Sequence, residues 1–154
     1  MKKIAVFPGS FDPLTLGHES LVVRALPLFD EIIIAVGINA LKSYYFPEEK
    51  RIQWIKKVFQ QYPQISVTSY EGLTVEFCRS VGSQFILRGL RTSADFEFER
   101  GIAQVNKKLF PEVETIFLLT TPEHTAITSS VIRDVVRNGG DASQFVPPAV
   151  DLTI

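Results

Sequence analysis

One cysteine, one tryptophan, one methionine and two histidines occur in 154 residues, and each scarcity narrows the field. A single thiol excludes a disulfide framework, and with no CxxC pair and no clustered ligand residues a zinc ribbon or thioredoxin-type site is excluded too. Cys78 lies in LTVEFCRSVG beside Val75 and Phe77, and is expected to be a buried filler thiol on a helix. Long apolar runs are missing as well: the longest, IIIAVGI, has seven residues and cannot span a bilayer. The first apolar run ends at Phe7, too short for a signal-peptide core, so a soluble cytoplasmic protein is expected. Charge of one sign is not in excess. Sixteen basic against seventeen acidic residues leave a net charge of -1, so no broad nucleic-acid or anionic-membrane surface is expected and any anion binding must be local. Neither GxxxxGK[ST] nor GxGxxG is found, which disfavours a P-loop kinase or a dehydrogenase. Neither Ser10 nor Ser129 has a GxSxG context or a local His-Asp partner, which disfavours acyl transfer.

What is present is a regular alternation. Five β-branched runs read as strands: Ile4 to Phe7, Glu31 to Ile38, Ile65 to Tyr70, Gln84 to Leu87 and Glu114 to Leu119. Between them lie stretches of helical period, such as Ile52, Ile55, Val58 and Phe59, and Phe98, Ile102, Val105 and Leu109. Continuous apolar runs such as IIIAV and IFLL point to strands buried on both faces. The expected fold is therefore α/β, a doubly wound parallel sheet with helices on both faces, in one domain spanning residues 1–154. In such sheets ligands bind beyond the C-terminal ends of the strands, where strand order reverses, so the loops that follow strands are where chemistry is sought.

Four such loops carry unusual residues. In FPGSFDPLTLGHESLVVRA, Gly9 permits a tight backbone approach, Ser10 offers a hydroxyl, and His18 stands near the start of a helix whose free N–H groups favour a phosphate. The same residues also suit a plain connector, with Ser10 or Asp12 as a local cap. In INALKSYYFPEEKR, Lys42 is either a point charge for a phosphate or a solvated loop lysine, and Pro47 opens the next helix. In LRGLRTSADFEFE, Arg88 and Arg91 flank Gly89. They suit bidentate phosphate binding, or a surface ion-pair cluster with Asp95, Glu97 and Glu99, and Thr92 with Asp95 resembles a capping box. In PEHTAITSSVIRDVV, Thr128, Ser129 and Ser130 lead a helix, as caps or as further donors. All four loops follow strands, so they open on one edge of a parallel sheet. The inventory holds cations and hydroxyls without an obvious nucleophile or base. It fits phosphoryl or nucleotidyl transfer by positioning and electrostatic stabilisation, the substrate supplying the nucleophile.

With PGSFDPLTLGH, FPEEKR after Lys42, RGLRTSADFEFE and ITSSVIRDVVRNGGD in hand, the chain resembles the phosphopantetheine adenylyltransferases over almost its whole length. These are bacterial coenzyme A biosynthesis enzymes of the nucleotidyltransferase superfamily. The resemblance implies a Rossmann-like sheet of order 3-2-1-4-5 and transfer of AMP from ATP to 4'-phosphopantetheine, with Mg2+, giving dephospho-coenzyme A and pyrophosphate. It further implies a homohexamer and feedback inhibition by coenzyme A. By position it makes His18 the stabiliser of the transition state and Ser10 a contact of both substrates. Lys42 and Arg88 become holders of the acceptor phosphate, with Thr74 near the pantetheine arm. Phe11, Gly89, Leu90, Arg91, Glu99 and the segment His124, Thr125, Ala126, Ile127, Thr128, Ser129 and Ser130 fall on the ATP side, Arg91 also neutralising transferred charge. No residue is assigned to a dedicated metal cage, so Mg2+ is expected on ATP oxygens and water.

Some positions depart from the family pattern. Phe98 stands where Tyr is usual, His124 where Trp or another aromatic is usual, and Thr128 where Ser is usual; the chain ends at Ile154 and is expected to be shorter than typical relatives. Two competing expectations remain. A cytidylyltransferase for a polyol or ethanolamine phosphate would share Thr-x-Gly-His, though not the RGLR segment or SFDP. A non-catalytic nucleotide or coenzyme A binding module would have no need of His18 and Lys42, and both are present.

Overall fold

The computed structural model describes residues 1–153. Five strands, β1 (Ile4–Gly9), β2 (Glu31–Gly37), β3 (Ile65–Tyr70), β4 (Phe85–Leu90) and β5 (Glu114–Leu119), form one sheet in the order β3-β2-β1-β4-β5, as expected. Every pairing is parallel. Five α-helices alternate with them: α1 (Leu16–Ala25), α2 (Glu48–Val58), α3 (Thr74–Val81), α4 (Ser93–Leu109) and α5 (Ser129–Arg137).

The period-two alternation of strand side chains divides the core between the two faces of the sheet. Ala5, Phe7, Ile32, Ile34, Val36 and Leu87 face one way, where Leu21 and Val22 of α1, Trp54 and Ile55 of α2 and Ile132 of α5 cover them. Val6, Ile33, Ala35 and Ile86 face the other way, toward Val75 and Cys78 of α3. Cys78 is buried, and burial pushes its thiol up to about 11, as befits a packing residue.

Expectation and structure part company chiefly at the ends of two strands, while β2 stops at Gly37, one residue before the expected Ile38. β1 runs on through Pro8 to Gly9 because its ladder with β2 continues to Gly9 and Val36. β4 begins at Phe85 and runs to Leu90, still paired with Leu119, so Arg88, Gly89 and Leu90 belong to the strand and not to the loop after it. Between these two strands the pairing is confined to Ala5 with Phe85 and Val6 with Ile86. Beyond that point Pro8 has no N–H to give, the strands diverge, and a crevice opens where strand order reverses.

Two apolar segments are less buried than their sequence implies. IFLL of β5 is only partly buried because β5 is an edge strand, and Leu119 is exposed. The α4 stripe is regular, yet Phe98, Ile102, Val105 and Leu109 are all exposed, and Glu99 is the one buried residue of that helix.

Candidate active site

Thr15 builds the mouth of α1. As N-cap its hydroxyl accepts the N–H of His18 at 3.2 Å, and its own N–H donates to Nδ1 of the His18 ring at 3.0 Å. This is a capping box with histidine in the place usually taken by Glu or Gln. His18 is therefore the third residue of the helix and not its first. A backbone N–H can only donate, so Nδ1 keeps its lone pair and the proton of neutral His18 rests on Nε2. Phe11 and Phe7 hold the ring edgewise, at centroid distances of 5.1 and 6.1 Å. Burial, and then the nearby Arg88 and Arg91 guanidiniums, pull the imidazole down to about 4 from its ordinary 6.5. At neutral pH His18 is an uncharged N–H donor.

The loop that carries Ser10 is clamped from several sides. Phe11 has φ of 48°, in the left-handed region, a conformation its buried ring offsets by packing on Phe7. Gly9 leaves the room this needs, since a Cβ there would lie 3.0 Å from the Phe11 ring. Asp12 is buried and accepts the amides of Tyr45 and Phe46 at 2.8 and 2.9 Å, which fixes the β2–α2 loop against the β1–α1 loop. Arg133 of α5 donates to the Asp12 carbonyl at 2.8 Å, and Ser129 donates to the Pro13 carbonyl at 2.8 Å. Ser129 thus ties α5 to this loop, while Thr128 is the cap of α5.

Two clefts, each of about 360 Å3, open on the C-terminal edge of the sheet and meet at Arg88 and Glu99, which line both. In the first lie Ser10, Lys42 and Thr74, with Tyr70 and Tyr44. Lys42 Nζ reaches Ser10 Oγ at 3.1 Å, and Tyr70 Oη lies 2.8 Å from Thr74 Oγ1. In the second lie His18, Gly89, Arg91, His124, Ile127 and the hydroxyl run Thr128 to Ser130, together with Phe98. A Cβ at Gly17 would make only ordinary contacts, 3.5 Å to His124 Cβ and to Thr15 Oγ1, so its own neighbours do not demand a glycine; its bareness widens the second cleft. His124 Nδ1 lies 3.0 Å from Thr121 Oγ1, which orients the ring.

Five of the residues assigned to the nucleotide do not line the second cleft. Phe11 is buried in the core, Ser10 lines the first cleft, and Leu90, Thr125 and Ala126 line neither, whereas Ile127 does. The two readings of the arginine pair, phosphate site and ion-pair cluster, are not exclusive. Arg88 donates from Nε to Glu99 Oε1 at 2.8 Å and from Nη1 to the Pro8 carbonyl at 2.7 Å across the crevice, and Arg91 pairs with Asp95 at 3.0 Å. Both guanidiniums still present themselves to the clefts. Thr92 caps α4 through the Asp95 amide, but the Asp95 carboxylate turns back to Arg91, so only half of the expected box forms.

Sequence reasoning passed over Arg51, Arg133 and the loop-bridging role of Asp12. A signal for Arg51 existed: it falls on the face of α2 shared by Trp54, Ile55 and Val58, where a charge is out of place. Among the described residues no group of three or more His, Cys, Asp or Glu gathers to hold a metal ion, and Glu99 and Asp95 are engaged by arginines. No helix among them is long and apolar enough to cross a membrane.

A sheet of this order with anion-binding groups on both sides of its switch point defines a nucleotidyltransferase, a class that works on nucleotides with a divalent metal. Residues 6–135 match the Cytidylyltransferase-like family. Solved structures of this fold include one from Vibrio parahaemolyticus described as a nicotinate-nucleotide adenylyltransferase, with TM-score 0.74 and 19% identity over 99% of this chain and 91% of that one. A bifunctional NMN adenylyltransferase/ADP ribose pyrophosphatase from Francisella tularensis gives 0.71 and 18% over 95% of this chain and 45% of its own. The phosphopantetheine adenylyltransferase of Flavobacterium psychrophilum is 58% identical over 95% of this chain and 96% of its own length. That of Bacteroides fragilis is 47% identical over 96% and 98%. The chain belongs to the phosphopantetheine adenylyltransferase family.

Proposed function

We propose that the two clefts serve the two substrates of one transfer, ATP in the second and 4'-phosphopantetheine in the first. The enzyme moves the adenylyl group of ATP onto 4'-phosphopantetheine, giving dephospho-coenzyme A and pyrophosphate. The observation that carries the division is Arg88, a single guanidinium in the wall common to both clefts, where an acceptor phosphate and an α-phosphorus would meet.

The steps follow from the side chains. Lys42 and Arg88 draw the acceptor phosphate to the end of the first cleft, with Ser10 Oγ hydrogen-bonded to Lys42 Nζ. A phosphate oxygen attacks the α-phosphorus in line and pyrophosphate departs. His18 Nε2–H meets charge as it develops on an α-phosphate oxygen, and its fixed orientation avoids reorganisation at that moment. Arg91 and the N-terminus of α5 receive the outer phosphates. With Glu99 and Asp95 engaged by arginines, neither would hold a divalent metal; Mg2+ would come with ATP as part of the substrate and would supply further neutralisation of phosphate charge.

Further proposals accompany this one. The chain works as one domain in the cytoplasm, and as a homohexamer. The exposed stripe Phe98, Ile102, Val105 and Leu109 supports self-association, since a regular apolar helix face is seldom left to water. Val105→Asp would then lower the mass measured by light scattering. Coenzyme A shares the adenylate and pantetheine arm of the product and would inhibit by occupying both clefts. The direct test is incubation with Mg2+, 4'-phosphopantetheine and either ATP or CTP. Dephospho-coenzyme A and pyrophosphate in equal amounts, with ATP only, is expected; no product, or preference for CTP, would contradict the proposal.

A further inference from the structure

The face of α2 that buries Trp54 and Ile55 also buries Arg51, which is 1% exposed. Its Nε donates to the Phe46 carbonyl at 2.9 Å and its Nη1 to the Ser10 carbonyl at 2.7 Å, while its guanidinium carbon lies 4.3 Å from the centroid of the Tyr44 ring. Its Nε and Nη1 are hydrogen-bonded, and among the described residues no fully buried side-chain nitrogen or oxygen lacks a partner. Its charge has no such partner. Among the described residues Arg51 forms no ion pair. The buried carboxylate on the neighbouring loop, Asp12, accepts two backbone amides and makes no direct ion pair with Arg51; the Phe46 peptide, bonded to both, lies between them.

A buried cation without a counter-charge is costly, and buried charges in folded proteins are as a rule paired. The polar groups around Arg51 lead toward the first cleft. Ser10, whose carbonyl Arg51 holds, receives Lys42 Nζ on its hydroxyl at 3.1 Å. The Tyr44 ring has Arg51 at 4.3 Å and Lys42 at 5.4 Å, so two cations gather on one ring behind the Ser10 side of that cleft.

We propose that Arg51 is a positioning residue whose charge, without a direct ion-pair partner in the protein, acts on the phosphate of the substrate in the first cleft. It holds Ser10 from behind and adds its field through a low-dielectric wall, so that the cleft prefers a phosphorylated arm to the same arm without phosphate. The proposal rests on assigning the first cleft to 4'-phosphopantetheine. Arg51 does not touch the phosphate, which distinguishes it from Lys42 and Arg88. The electrostatic role also separates it from a mere brace: a brace needs hydrogen bonds, whereas a counter-charge partner needs the positive charge.

The experiment compares dissociation constants for 4'-phosphopantetheine, pantetheine and ATP in the wild type, Arg51→Lys and Arg51→Gln. The wild type is expected to favour the phosphorylated arm strongly. Arg51→Lys keeps the charge and is expected to keep most of that preference. Arg51→Gln keeps donors but loses the charge; its preference is expected to fall about tenfold or more, with the ATP constant unchanged within about twofold. A Gln variant that keeps the full preference, or one that loses ATP binding in step, overturns the proposal. A wild type with no preference for the phosphorylated arm overturns the assignment of the cleft instead. A second readout needs no substitution that risks the fold. The Arg51 Nε–H resonance of the wild type, identified by its loss in Arg51→Lys, is expected to move on adding 4'-phosphopantetheine and not pantetheine. A resonance that stays in place overturns the proposal.

Discussion

The Thr15 N–H donates to Nδ1 of His18 at 3.0 Å, and this one hydrogen bond decides what His18 can do. It leaves Nε2 as the protonated nitrogen and makes the ring a neutral donor held by its own helix cap.

His18→Gln is the informative substitution, because Gln is a customary partner in a capping box and preserves α1 while losing the imidazole. It is expected to lower kcat by about 10²-fold, the scale for removing one donor at a developing charge, with little change in either KM. The pH dependence has a definite sign. The folded-state value of about 4 lies below the ordinary 6.5, so on acidification the unfolded chain takes the proton first. The stability owed to this shift is complete above pH 6.5 and is lost as pH falls toward 4. Urea unfolding at pH 7 and pH 5 should therefore show a larger loss for the wild type than for His18→Gln. Equal losses in the two would show that the imidazole is not held neutral by the fold.

Glu99 is buried against an Arg88 that is a third exposed. Breaking a wholly buried pair costs about 3–5 kcal/mol, and the exposure of Arg88 reduces the expectation for Glu99→Gln to about 2 kcal/mol in chemical denaturation. Because Arg88 lines both clefts, its release is expected to raise KM for both substrates. The family resemblance ties Arg88 to 4'-phosphopantetheine only. A rise confined to one substrate would show that Arg88 serves a single cleft.

Gly89 stands on β4 where a Cβ would come within 2.6 Å of Leu21 Cδ1. Leu21 is buried yet borders the second cleft, so its side chain would turn into that cleft. Gly89→Ala is expected to cost about 1 kcal/mol of stability. It is also expected to raise KM for ATP while leaving that for 4'-phosphopantetheine near normal. Thermal unfolding and steady-state kinetics measure the two effects separately.

The alternation of β-branched runs and helical stripes disclosed the five strands, their parallel arrangement and the edge on which the loops open, because these depend on local pattern and chain-wide rules. The ends of β1 and β4 escaped, since their length is set by which neighbour continues the ladder: Pro8 and Gly89 interrupt a pattern but not a pairing. The exposure of the α4 stripe escaped for a related reason, in that periodicity reports an apolar face and not what covers it. The placement of Ser10, Lys42 and His18 on the clefts was legible from residue type and position after strands, and that of Arg88 from residue type, since it lies within β4. The Asp12 bridge and the buried Arg51 were not, because each depends on contacts between loops distant in sequence. The Thr15–His18 lock is local, and it escaped because histidine stands where a capping box usually has Glu or Gln.

The central claim is direct, in-line transfer between substrates held in two clefts that share a wall, with no covalent intermediate on the protein. The measurement that bears on it most directly is the stereochemical course at phosphorus with the Sp isomer of ATPαS as donor and 4'-phosphopantetheine as acceptor. A single in-line displacement inverts the configuration at the α-phosphorus in the dephospho-coenzyme A formed, and inversion is the expected result. Retention would require two successive displacements through an adenylylated side chain, and would contradict the account.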